Sequence, residues 1–446
     1  MSESLSQPFT SVVQSDHIPL VNSTLTDTLS DPATLRSCNK NIGKILYMGV
    51  CFLVIFTAFS SANNIVSEIY DQLDYESLGQ LSSFIMNLAT LPVMLFPGFI
   101  NQFTIKNSVF VGSLGFIFTL FAGAMTTICA EDNSYIWCQK RSYIYLINII
   151  CAVIAGFFSG IIWIASNRYI KACSNGANEG RFLGIFSALF SCPNVTGSIV
   201  AAFVLQHFGQ FNFYITACAI SILAIIMVYL APDVSRYDEK GDEQLGFREQ
   251  SVRVIKLSCN PRMKTFLLFI VFVGILTAIY TGFEYRIVLT AIPNMSKEDQ
   301  NAITSWVFMV QGVLTIIFSY VVGDLADMFK LSYVVNGFLM TNFVSIGLSF
   351  LSYYLQSLVL AYVMAAVWGL AVSSTVTLSG IVMMKDWNGS LEAFALLQFL
   401  YNLAIALGYV MCIYIIDIVA FLYVTLGLLI ITQISTLLYK SKEIKT

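Results

Sequence analysis

The sequence predicts an all-α membrane protein of twelve transmembrane helices, arranged as two six-helix bundles. Three observations lead there. Composition is the first: 57% of the 446 residues are hydrophobic and 11% charged, with a mean hydropathy of +0.76, whereas a soluble globule carries about 25% charged residues. Segmentation is the second: apolar runs of about 20 residues, enough to cross ~30 Å of hydrocarbon as a helix, recur along most of the chain. The third is a single long, densely charged strap, DVSRYDEKGDEQLGFREQSVRVIKLSCNPRMK from Asp233 to Lys264, which falls at the midpoint.

In chain order, residues 1–42 are rich in Ser, Thr, Asp and Asn and lack a basic stretch followed by an apolar core. They predict a disordered cytosolic tail and no signal peptide. Within them Asp16, Leu20 and Val21 resemble an acidic dileucine sorting signal, which makes an endolysosomal membrane an alternative to the plasma membrane. Spans are expected at 44–66, 78–100, 108–129, 143–167, 182–205 and 212–231, giving an N-terminal bundle of residues 43–231. A cytosolic linker follows at 232–263. Further spans at 264–288, 303–322, 331–353, 357–384, 392–413 and 416–438 form the C-terminal bundle, 264–438, and leave a cytosolic tail at 439–446.

Cations fix the orientation. With the N-terminus in the cytosol, 19 of the 23 Lys and Arg residues fall inside, and only Lys140, Arg141, Arg286 and Lys297 fall outside. This is the asymmetry of the positive-inside rule, and shifting the helix count by one destroys it. The net charge of -3 offers no basic surface to nucleic acid; the bilayer is the implied partner.

The ten cysteines form no metal-ligand spacing, and no cofactor is implied. Cys129 and Cys138 flank an expected outer loop, where a disulfide and two free thiols are both open possibilities. Asn294, in Asn294-Met-Ser296, fits the glycosylation pattern in another outer loop. His17 lies in the tail and His207 at an outer turn, so no nucleophile has a base in reach and no enzyme is expected.

Inside the membrane the chemistry is sparse. An ionisable side chain at mid-depth costs a few kcal/mol or more and marks function, yet none is found there. Glu284 and Arg286 come ~30 Å along the seventh helix at ~1.5 Å per residue, close to the outer surface. The residues expected near mid-depth are uncharged: Asn87, Asn194 behind Pro193, Gln311, Gln398 and Asn402, with Ser373, Ser374, Thr375 and Thr377 on the tenth helix. They could line a central cavity or simply bridge helices, at about 0.6–2 kcal/mol each. Pro193 should kink the fifth helix, and Gly156-Phe-Phe-Ser-Gly160 reads as tight helix packing.

Between helices eight and nine, Gly323-Asp324-Leu-Ala-Asp327-Met-Phe-Lys330 resembles the loop motif of the major facilitator superfamily. A weaker copy lies between helices two and three, from Pro97 to Lys106. Thr57-Ala58 and Thr277-Ala278, and Gly197 and Gly408, also correspond, at offsets of 211 to 225 residues, as two diverged copies would. Gly323 permits close helix approach, and Asp327 can accept hydrogen bonds from a neighbouring helix N-terminus or pair with a base such as Lys330, making a cytosolic latch.

Leu53-Val-Ile-Phe-Thr-Ala-Phe-Ser-Ser-Ala-Asn63-Asn64 with Leu78-Gly79 downstream resembles a signature of the Unc-ninety-three family within that superfamily. So do Trp163-Ile-Ala-Ser-Asn-Arg-Tyr169, Gly180-Arg-Phe-Leu-Gly184-Ile-Phe-Ser-Ala-Leu-Phe-Ser and, in the second half, Glu392-Ala-Phe-Ala with Gly408. Ser166-Asn167-Arg168 replaces the family's Gln-Gly. The resemblance implies a regulator or accessory of an ion channel of the potassium class, or of membrane-protein trafficking. The alternative is a facilitative transporter of a neutral or weakly polar small solute. The possible partners are accordingly a membrane-protein client or a solute.

Overall fold

In the computed structural model the described residues are 32–446 except 76–77, 98–99, 101–102, 132–134, 136, 175–177, 235–246, 296, 416 and 440–446. The sorting-signal resemblance at Asp16–Val21 lies outside them.

Fifteen helices are described: α1 Pro32–Gln72, α2 Leu78–Leu95, α3 Ile105–Ser113, α4 Gly115–Glu131, α5 Arg141–Cys173, α6 Glu179–Ser191, α7 Pro193–Tyr229, α8 Phe247–Ser258, α9 Pro261–Gly282, α10 Glu284–Thr290, α11 Lys297–Met328, α12 Leu331–Leu355, α13 Leu358–Asp386, α14 Leu391–Tyr414 and α15 Ile418–Leu437. They supply twelve spans long and apolar enough to cross a membrane. Residues 42–446 form one compact unit. Helix α1 is described from Pro32, inside the stretch expected to be an unstructured tail. The strap is likewise partly helical, through α8.

Span ends differ from the expected ones where the backbone breaks. The third span is α3 plus α4, interrupted at Leu114, and the fifth is α6 plus the start of α7, interrupted at Cys192 before Pro193. Spans five and six join without a loop, the chain bending at Gly209 with φ 81°, a left-handed conformation that glycine adopts without Cβ strain. The seventh span stops short of the expected 288: α9 ends at Gly282, and after Phe283 the chain restarts as α10. Helix starts are capped by side-chain oxygens of Thr104, Asn260, Ser390 and Asp417, each accepting from an N–H two or three residues on. These caps satisfy donors the helix cannot satisfy itself, worth about 1 kcal/mol each.

Pseudo-symmetry is visible in packing. Gly197 of α7 lies against Thr57 of α1, and Thr57 Oγ1 meets Thr196 Oγ1 at 2.8 Å. In the other half Gly408 of α14 lies against Ala278 of α9, and Thr277 Oγ1 meets the Tyr401 hydroxyl at 3.0 Å. Gly156 and Gly160 seat α5 on α2, where a Cβ at Gly156 would come 2.2 Å from the Met86 carbonyl oxygen. Between the halves, α6 packs on α11 and α2 on α14. Helix α11 meets α6 far more extensively than α7. The halves are thus joined mainly on the side of the bundle where the strap lies.

Candidate functional site

The strap-side seam is built around Asp327. Its carboxylate accepts the Gly180 N–H at 3.0 Å and the Arg181 N–H at 2.8 Å, two donors in the first turn of α6 in the opposite half. An anion there also meets the positive end of the helix dipole. Lys385, at the end of α13, approaches the same carboxylate at 2.7 Å and donates to the Ala326 carbonyl. The site depends on missing side chains: a Cβ at Gly180 would lie 2.6 Å from Asp327 Oδ1, and one at Gly323 would lie 2.5 Å from the Gly180 carbonyl oxygen and 2.9 Å from Gly184 Cα. Arg181 and Asp324, at 4.0 Å and well exposed, add an ion pair of small worth.

Lys385 is therefore the base beside Asp327, while Lys330, exposed, stands at the N-cap of α12. Nothing in the local sequence reveals this, because Lys385 lies 58 residues away. A second strap-side cluster joins spans seven, ten and twelve: Asp386 receives Arg262 and the Tyr439 hydroxyl, and the guanidinium lies 5.5 Å from the Trp387 ring centroid. Lys171 pairs with Glu179 in the N-terminal half and packs against Gly389 of the other.

The five amides expected to share a central cavity do not gather in one. Asn402 and Gln398 of α14 sit at the seam with α2, the Asn402 amide donating to the Gln398 carbonyl and approaching Met94 Sδ at 3.8 Å. Asn194 of α7 faces α11 at Gly312. Asn87 donates back along its own helix to the Ser83 carbonyl at 2.7 Å. Ser373, Ser374 and Thr375 do the same toward Leu370 and Ala371, so on span ten the hydroxyls close on their own backbone.

Gln311 reaches a buried ionisable group. Its Nε2 donates to Glu284 Oε2 at 2.7 Å, and both side chains are buried, Glu284 at 1% exposure. Glu284, expected at the outer surface, instead turns inward from α10, between spans seven and eight. Burial pushes its carboxyl up to about 8, partly offset by the Gln311 hydrogen bond. Oε1 of each residue has no hydrogen-bond partner. Counting along a helix gave the depth of Glu284, beyond the end of the seventh span, but not its burial, because the chain restarts as α10 after Phe283.

On the side away from the strap, Cys129 and Cys138 are disulfide-bonded, and Asn294 is exposed. Among the described residues no group of three His, Cys, Asp or Glu could hold a metal ion.

A family model described as Major Facilitator Superfamily matches residues 48–409. Among curated proteins, UNC93-like protein 3 of Arabidopsis thaliana is 25% identical over 172 residues, covering 36% of this chain and 32% of that protein. The match thus spans about a third of the relative's length. Among solved structures, a bacterial homologue of the iron transporter ferroportin in an outward-facing state superposes with a TM-score of 0.66 at 12% identity, over 89% of this chain and 99% of that one. The E. coli fucose:proton symporter gives 0.62 at 12% identity, over 91% and 100%. At these identities the structural likeness speaks for the fold.

Proposed function

Because the chain belongs to the Major Facilitator Superfamily, we propose that it works by alternating access, moving a neutral or weakly polar small solute between its two halves. The observation that carries this is the Asp327 site: one carboxylate holds the N-terminus of α6 across the seam and closes the strap side. Such a contact can be made and broken without unfolding either half, because all three of its donors lie at helix ends. The amides at the two contacts between the halves, Asn194 against α11 and Gln398 with Asn402 against α2, are the candidate solute contacts. The solved transporters of the same fold support the reading. In proteoliposomes carrying this protein, a panel of radiolabelled neutral solutes should include one taken up faster than in empty vesicles, with uptake lost in a correctly folded Asn402→Leu variant. Uptake equal to empty vesicles across the panel counts against transport.

A second reading is favoured by the local likeness to UNC93-like protein 3 and by the signature around Asn63 and Trp163. In it the same two-state body is an accessory of a potassium-type channel or of a trafficking client. A channel recovered with the full chain from native membranes, in defined ratio, supports it.

The strap side is proposed to be cytosolic, with both termini there, in the plasma or an endolysosomal membrane. Enzymatic deglycosylation should then reduce the mass of the wild-type protein and leave Asn294→Gln unchanged. A glycan on the wild type that survives in Asn294→Gln contradicts that assignment.

A further inference from the structure

Helix α8, the helical part of the strap, ends at Ser258, two residues before the seventh span begins at Pro261. Between them Asn260 is extended, with φ −61° and ψ 128°, so α8 does not prolong that span. It packs instead on α14 and lies at the level where the seventh span enters the bilayer. Helical spacing divides its surface into three stripes. Gln250 and Val254, one turn apart, are buried against the protein. Glu249, Arg253 and Lys256 form an exposed charged stripe, in which Arg253 and Glu249 pair at 3.5 Å. The third stripe carries Val252 and Ile255, 39% and 58% exposed, with exposed Arg248 between them on the helix surface.

We propose that α8 is a docking site for anionic phospholipid of the leaflet on the strap side, with Val252 and Ile255 entering the acyl boundary and Arg248, Arg253 and Lys256 meeting the phosphates. Position, charge and shape select that occupant. A helix tied two residues from a span, and packed on a neighbouring span, is held in the headgroup layer. Its exposed charges are three cations and one carboxylate, and exposed Lys264 in the first turn of α9 adds a fourth cation, each worth a severalfold gain in affinity for an anionic surface. A short basic helix with an open apolar stripe is the form that lies in such a surface. The rival occupant within this chain is the acidic run 238–243, which by sequence has no apolar residue to cover Val252 and Ile255. The site depends on neither the transport nor the accessory reading.

Hydrogen exchange of the full-length protein, read by mass spectrometry on peptides from α8, tests it in nanodiscs of phosphatidylcholine alone and of phosphatidylcholine with phosphatidylserine. The expected result is exchange over α8 slower by about tenfold or more with phosphatidylserine, an effect that high salt removes. Arg248→Gln and Lys256→Gln should each lose about fivefold of that protection, and their side chains are exposed, so the fold is kept. Equal exchange of wild-type α8 in the two discs overturns the proposal, whether the acidic run or nothing covers the helix. Protection of the double variant equal to that of the wild type overturns it as well. So does protection in phosphatidylcholine discs by soluble polyglutamate that matches the effect of phosphatidylserine, the mark of an acidic protein occupant.

Discussion

Gly323→Leu is expected to hold the strap side of the two halves apart. A Cβ at this position would stand 2.5 Å from the Gly180 carbonyl oxygen and 2.9 Å from Gly184 Cα. Both are backbone atoms, so no rotamer relieves the contact; α6 and α11 must separate. Overpacking a close-fitted core costs about 1–3 kcal/mol even when side chains can yield, and here they cannot. Separation also draws Asp327 from the Gly180 and Arg181 N–H groups, charge-assisted bonds of about 1.5–3 kcal/mol each. A shift of ~3 kcal/mol changes the ratio of closed to open forms by about a hundredfold. The measurement is labelling of Ser319→Cys, a 1% exposed position on α11 whose carbonyl faces Gly184, with exposed Cys259 and the N-terminal Cys38 both replaced by Ser. A maleimide applied from the strap side should react slowly in this background and much faster once Gly323→Leu is added. Equal rates would mean that this crossing does not control closure.

The second large effect is expected at Glu284. Its folded-state value, raised by burial to about 8 from 4.5, means that the folded protein holds one more proton than the unfolded chain between those limits. Stability is then fully present below the unfolded value and falls as pH rises, by about 1.4 kcal/mol per pH unit until the folded value is passed. Glu284→Gln keeps a partner for Gln311 and removes the titration. Thermal unfolding of the purified protein across this window should show a falling midpoint for the wild type and a flat one for the variant, with the variant the more stable at the alkaline end. Parallel profiles for the two proteins would show that another group titrates.

Hydropathy is enough to read the twelve spans, because apolarity is imposed by the bilayer and acts over whole segments. Asp327 was readable for a related reason: a short motif fixed it at a helix end, where a carboxylate can meet N–H donors. Lys385 was not, since its proximity to Asp327 is created by packing of α13 beside α11. The amides were read as one group because depth can be counted along a helix while facing cannot; Asn402 turns to the α2 seam and Asn87 to its own backbone. Glu284 shows the same limit more sharply. Phe283 interrupts the helix, and after an interruption neither rise nor rotation carries over.

The interruption at Cys192 has a mechanical meaning. Helix α6 is a rod of 13 residues, gripped by α11 at one end, while α7 beyond Pro193 is pinned to α1 through Gly197 and Thr57. Pro193 has no N–H to give Leu189, whose carbonyl is met by the Cys192 N–H at 3.3 Å instead. Flexing at this joint breaks no helical hydrogen bond that an unbroken rod would have kept. The lower arm can therefore swing with whatever pulls on Asp327 while the upper arm keeps its footing, so the fifth span behaves as an elbow and the bundle around α1 need not tilt with it.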